Sequence, residues 1–220
     1  MSVILLVRHG QASWGADDYD QLSVTGIEQS RLLGRALSAR GVRPDLLVRG
    51  SMKRHRQTAE AAVAGAGWDV EVAEDDGWDE FDHLSTLSGS LDWEELDGES
   101  FDDRVRRFEA TIDRWSSGKH DDEYRESFPA FQQRVTAAFD RALERLDPKQ
   151  TAVVFTSGGP VSWVTVALTK GGLPAWTRLS KVVVNSSVTK VLTGRRGTSL
   201  ITFNDHSHLE GGDPGLLTYR

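Results

Sequence analysis

The sequence predicts an α/β protein: three layers, α/β/α, around a mainly parallel central sheet, with antiparallel strands at one edge and a helical insertion over one end of the sheet. Three observations point there. Short continuous apolar runs, such as Val3 to Val7, read as strands buried on both faces, as in a parallel sheet. Segments with helical spacing separate these runs, so the order is βαβα. Near the end, Ser187 to Thr193 and Ser199 to Phe203 flank GRRGT, a hairpin signal with Gly194 and Gly197 at the turn.

Val3 to Val7 supplies the first strand, and Asp45 to Val48, Thr151 to Thr156 and Lys181 to Val184 resemble it. Thr25 and Glu28 form a capping box ahead of Ile27, Leu33, Ala36 and Leu37, and Gly41 closes that helix. A second helix is expected from Met52 to Ala64, where alanine-rich sequence meets Gly65 and Gly67. From Asp82 to Gly98 the chain is acidic and weakly periodic, after which Phe101 to Trp115 and Phe128 to Leu146 read as helices. One domain over residues 1–220 is expected, with residues 82–146 as a helical, cap-like insertion within it.

Composition limits the function classes. The chain has 220 residues, 38% apolar and 27% charged, which is enough to build a buried core and far from a disordered composition. A net charge of −7 argues against a broad footprint on nucleic acid or an anionic membrane. With no cysteine, disulfides, thiolate zinc sites and cysteine nucleophiles are excluded. The first apolar run is too short for a membrane span or a signal-peptide core, so a cytoplasmic protein is expected.

In open α/β sheets ligands bind at the carboxyl ends of the strands, where Arg8-His9-Gly10 follows the first run. GSMKRHRQTAE follows the second parallel strand and brings Arg54 to the same edge. Guanidinium forks suit phosphoryl oxygens because they donate paired hydrogen bonds and stay charged. Lys53 and Arg56 read as a solvated helix face, Ser51 and Thr58 as local hydrogen-bonding residues, and the helix N-terminus as a further contribution to an anion site. No G-x-G-x-x-G follows the first strand, which disfavours a dinucleotide-binding dehydrogenase.

LVRHGQA, YDQLSVTGIEQS and GSMKRHRQTAE together resemble the histidine phosphatase superfamily, the phosphoglycerate-mutase-like proteins. WDEF, VVFTSGGP, NSSVTKV and FNDHSHL extend the resemblance over nearly the whole chain. It implies that His9 attacks phosphorus and carries the phosphoryl group while Arg8 and Arg54 neutralise its oxygens. It also implies that Glu80, between Trp78 and Phe81 in its neighbourhood, protonates the leaving oxygen. Gly10, Gln11, Ser13 and the loop to Tyr19 complete the phosphate cup in this reading, with Ser157 and Gly158 as further contacts. Trp14 is the candidate pocket wall; Trp93, Trp115, Trp163 and Trp176 read as core or interface aromatics. The resemblance implies no cofactor and no metal.

One departure stands out. Many relatives carry a second histidine before a glycine pair, where this chain has Ser157-Gly158-Gly159. Losing a charged donor there costs on the order of 3 kcal/mol of transition-state stabilisation, about a hundredfold in rate. His206 and His208 in FNDHSHLE are candidate substitutes. The expected activity is hydrolysis of a small phosphorylated metabolite through a phosphohistidine on His9. A phosphoglycerate-type mutase and a phospholigand-binding pseudoenzyme are the alternatives, and a homodimer is compatible with the sequence.

Overall fold

A computed structural model describes residues 1–13, 20–81 and 101–219. Trp14, Trp93, most of the loop to Tyr19 and the acidic stretch to Gly98 lie outside the described residues. The chain divides into two units, Met1–Asp79 with Val135–Arg220, and Glu80–Arg134.

The first unit holds a six-stranded sheet of order β3-β2-β4-β1-β5-β6. Its strands are β1 (Ser2–Arg8), β2 (Leu46–Arg49), β3 (Val72–Glu74), β4 (Thr151–Thr156), β5 (Val188–Gly194) and β6 (Gly197–Asp205). β3, β2, β4 and β1 pair in parallel. β5 runs antiparallel to β1, and β6 to β5, so the antiparallel strands finish one edge. Side chains alternate across the sheet. Leu5, Val7, Leu47, Val153 and Phe155 join Leu33, Leu37, Ala59 and Ala62 of two helices, α1 (Val24–Ala39) and α2 (Lys53–Ala66), in one core cluster. Ile4, Leu6, Ala152 and Val154 point the other way and are also 0% exposed, as the continuous apolar runs require. Each of these valines, leucines, isoleucines and phenylalanines contributes about 1.5–3 kcal/mol by leaving water.

Helix α1 begins two residues earlier than the capping box predicts. Ser23 is its N-cap, and its hydroxyl accepts from Gly26 N at 3.0 Å, so the Thr25 and Glu28 reading is corrected. α2 ends at Gly67, which takes the left-handed conformation.

Lys181 to Val184 is not a strand. The segment follows α6 (Leu173–Ser180), itself preceded by α5 (Gly158–Leu168), and side chains occupy its backbone. Asn204 Oδ1 accepts from Val184 N at 2.7 Å, Asn204 Nδ2 donates to Val182 O at 2.8 Å, and Arg8 Nη1 donates to Val183 O. Val183 and Val184 are 0% exposed, so the apolar run marks burial without strand pairing.

The second unit contains α3 (Phe101–Ser116) and the first turns of α4 (Phe128–Glu144). Phe81, Trp115, Phe128 and Phe131 form its aromatic centre; Phe81 stacks on Trp115 with centroids 4.5 Å apart. Trp115 Nε1 donates to Glu126 O at 2.7 Å, which satisfies its one polar atom. Among the described residues no helix is long and apolar enough to cross a membrane.

Candidate active site

Strand order decides which loops meet. β1 and β4 are neighbours in register Arg8↔Thr156, and β4 and β2 in register Arg49↔Phe155. Their carboxyl ends therefore deliver His9, Ser157 and Gly50 to one edge, with strands about 4.8 Å apart. His9 N donates to Thr156 O at 2.8 Å and Gly50 N to Phe155 O at 3.0 Å, so both turns are tied to β4.

His9 is 7% exposed. Its Nδ1 lies 2.7 Å from Gly10 O, and a carbonyl only accepts, so Nδ1 carries the hydrogen and Nε2 keeps its lone pair. Burial, then Arg54, Arg8 and His55, hold the imidazole well below its ordinary pKa. The ring is neutral and nucleophilic at Nε2 near pH 7. Gly10 has a steric reason to lack a side chain: a Cβ there would lie 2.3 Å from Gly26 O in α1. Its amide donates to Thr58 Oγ1 at 3.1 Å, and Ser186 N and Asn185 Nδ2 donate to His9 O at 3.1 and 3.2 Å.

The two arginines reach the imidazole's field from different elements. Arg54, 3% exposed in the first turn of α2, donates from Nη1 to Asp20 Oδ1 at 2.7 Å. Arg8 closes β1; besides Val183 O, its Nη1 donates to Tyr219 O at 2.8 Å. That carbonyl belongs to a terminal segment that also accepts from Gln29 Nε2, at Leu216 O (2.7 Å) and Thr218 Oγ1 (2.8 Å). The α2 N-terminus corrects one expectation. Its amides at Ser51, Met52 and Lys53 donate to the carboxylates of Asp79 and Asp20, so acids of the chain already occupy that helix end.

Ser157 and Gly158 open α5 at the same edge. A Cβ on Gly158 would lie 3.7 Å from Arg8 Nε, so Arg8 runs alongside that helix start. Gln11 is turned to structure: its Oε1 accepts from Ser23 Oγ at 2.8 Å and its amide donates to Gln29 Oε1 at 2.8 Å. Ser13 N donates to Gln21 O at 2.8 Å, beside residues outside the description. Glu80 belongs to the second unit, where its Oε1 accepts from Phe81 N at 3.2 Å.

His206 and His208, the candidate substitutes for a second site histidine, are each held by other partners. His208 Nε2 is bonded to Ser186 Oγ at 2.9 Å, and burial lowers its pKa to about 4. His206 Nδ1 donates to Asn204 O at 2.7 Å, with Glu210 3.7 Å from its other nitrogen. Trp176 is 1% exposed and donates to Gly159 O, while Trp163 donates to Thr136 Oγ1, consistent with structural aromatics. An open cleft of about 680 Å³ lies in the first unit, with Ser51 in its wall. It is lined by Glu74, Asp75 and Arg141 among others, with Arg141 paired to Asp75 at 2.6 Å and no imidazole in its wall.

A sequence profile of the histidine phosphatase superfamily (branch 1) matches residues 4–206. The chain belongs to that superfamily. Over 74 residues it is 39% identical to a 2,3-bisphosphoglycerate-dependent phosphoglycerate mutase from Thermobifida fusca (strain YX), a match spanning 30% of this chain and 30% of that relative. Bacillus stearothermophilus YhfR superposes with a TM-score of 0.71 at 20% identity, covering 96% of this chain and 100% of that one. A mutant phosphoserine phosphatase from Entamoeba histolytica, in complex with phosphoserine, gives 0.66 at 21% identity over 95% and 100%. At those identities the structural matches speak for the fold.

The sequence reading of this superfamily member misses three polar residues around His9 and Arg54. Asp20 has no local signal, since its contact to α2 spans 34 positions. Asp79 sits in an acidic run that reads as surface, yet it gathers Ser51 N at 2.6 Å and Ser51 Oγ at 2.5 Å. His55 is hidden among basic neighbours, although its spacing to Thr58, Ala59 and Ala62 is that of a buried helix face.

Proposed function

We propose that the protein is a phosphatase acting on a small phosphorylated metabolite through a phosphohistidine on His9, without a metal ion. The observation that carries this reading is the His9 ring itself. Its Nδ1–H is committed to Gly10 O, and its Nε2 lone pair is kept available by burial and by Arg54 and Arg8. Nε2 attacks phosphorus as the ester oxygen leaves, and Glu80 supplies that oxygen's proton. Water then attacks the phosphohistidine, releasing orthophosphate and restoring His9. Arg8, Arg54, the Ser157 hydroxyl and the Gly158 amide meet the phosphoryl oxygens, where charge is spread through the transition state. Gly10 allows close approach, and Gln11 and Ser13 brace the cup. Substrate choice is assigned to the insertion from Asp82 to Glu126. The absence of cysteine fits a reducing compartment, and the cytoplasm is the proposed location.

A mutase reading draws support from the 74-residue match to a phosphoglycerate mutase. Release of orthophosphate compared with isomerisation of 3-phosphoglycerate separates the two, and hydrolysis is the expected result. With p-nitrophenyl phosphate, His9→Ala is expected to lower turnover at least 10³-fold and to abolish an acid-labile phosphoryl adduct seen in the parent protein. Indistinguishable rates near background for the two proteins would overturn the phosphohistidine and leave a phospholigand-binding protein.

A further inference from the structure

Ser157 occupies the N-cap of α5 without capping it, since its side chain makes no bond to the first-turn amides. A capping serine is worth about 1 kcal/mol to a helix. Here the hydroxyl is used otherwise: Oγ lies 2.7 Å from His55 Nε2. On the far side of the ring, His55 Nδ1 lies 3.5 Å from Asp79 Oδ1. Ser157 and His55 are 0% exposed, so a carboxylate, an imidazole and a hydroxyl form a line inside the protein. The fold makes room for it, because a Cβ on Gly50 would sit 2.2 Å from His55 Nδ1 and 2.5 Å from Asp79 Oδ1. The line also ends at the phosphoryl site. The His55 and His9 rings are 5.8 Å apart, and Ser157 leaves the strand beside the one that His9 leaves.

We propose that Asp79, His55 and Ser157 form a proton relay: when a phosphoryl group occupies the site at His9, His55 takes up a second proton and the Ser157 hydroxyl turns to donate to a phosphoryl oxygen. The relay rests on the reading of His9 as a phosphoryl-binding site.

The charged and titratable groups around His55 come from four places: Arg54 on its own helix, Asp79 before the second unit, Asp20 ahead of α1, and His9 after β1. Burial and Arg54 push its pKa down, while Asp79 and Asp20 pull it up, and the net direction is down. Before a phosphoryl group binds, the ring is neutral by that balance, with Nδ1–H toward Asp79 and Nε2 accepting the Ser157 hydrogen. In that state the serine proton is spent inward. A phosphoryl dianion adds negative charge nearby and lowers the cost of an imidazolium. One proton from solvent then binds Nε2, which donates to Ser157 Oγ, and the serine O–H swings to a phosphoryl oxygen. No covalent bond to carbon or phosphorus changes, and release of the anion returns the proton. The site gains a cation only while its ligand is bound, although residue 157 itself is uncharged.

The test uses the full chain labelled with 15N-histidine, titrated with inorganic phosphate at pH 7, the His55 signals being assigned by their loss in His55→Gln. Saturating phosphate is expected to move His55 Nε2 from an unprotonated to a protonated nitrogen shift, in the parent protein and in His9→Ala. Asp79→Asn is expected to suppress that move. His55→Gln should lower kcat for p-nitrophenyl phosphate 10- to 100-fold with KM within threefold, and remove one ionisation from the kcat–pH profile. Ser157→Ala should lose about tenfold and Ser157→Thr recover most of it. A singly protonated His55 in phosphate-saturated protein that still hydrolyses ester overturns the relay and leaves the phosphatase intact. A responsive His55 without hydrolysis upholds the relay and overturns the phosphatase. A protein that neither binds phosphate nor turns over overturns both.

Discussion

Two pairs of arginines border the same sheet and have opposite characters. Arg8 and Arg54 stand at the carboxyl ends of central strands, with Arg54 3% exposed and both acting on the His9 ring. Arg195 and Arg196 sit at the tip of the β5–β6 hairpin, where every residue from Gly194 to Gly197 is exposed. A pair of unit charges 4 Å apart interacts by about 1 kcal/mol in water and about 4 kcal/mol in a protein environment of effective dielectric 20. A guanidinium thus sets the protonation of a neighbouring imidazole at one place and meets only solvent-screened surroundings at the other. Position in the sheet, and not charge count, makes the difference.

Arg54→Ala is the largest test of that contrast. It should lower kcat/KM by 10²- to 10³-fold, and a loss under fivefold would mean that Arg54 is structural. Gly10→Ala comes next. The clash with Gly26 O should cost about 1–3 kcal/mol in a denaturant titration, because backbone cannot swing aside as a flexible side chain can. Acidity gives a third, smaller effect. His9, His55 and His208 all have folded-state pKa values below the ordinary imidazole value, so the unfolded chain binds more protons than the native one. Stability is then full above about pH 6.5 and falls as pH drops toward 4, and the acid limb of activity lies below the usual imidazole range. Unfolding midpoints that do not change between pH 7 and 4.5 would contradict this. Replacing both Arg195 and Arg196 by alanine should change kcat/KM by less than twofold and stability by under about 0.5 kcal/mol.

Elements that bury both faces announced themselves best in the sequence. β1 and β4 are continuous apolar runs, and the hairpin carries its glycines where the chain reverses. β3 is only three residues long, Val72–Glu74, too short for a period to show. α5 is apolar nearly all round, so it lacks the polar face that marks a surface helix. The false strand at Lys181 to Val184 shows the limit of reading apolar runs, since burial there is met by Arg8 and Asn204 side chains. In the site, His9 and its arginines are legible because they follow strands. His55 and Asp79 are not, because what distinguishes them is a contact across the fold.

The terminal segment carries a practical lesson. Carbonyls and a hydroxyl between Leu216 and Tyr219 hold Arg8 and Gln29, so this stretch buttresses the strand that leads into His9. A cut ahead of Leu216 would free the Arg8 guanidinium and the Gln29 amide from these partners while leaving the His9 ring itself untouched.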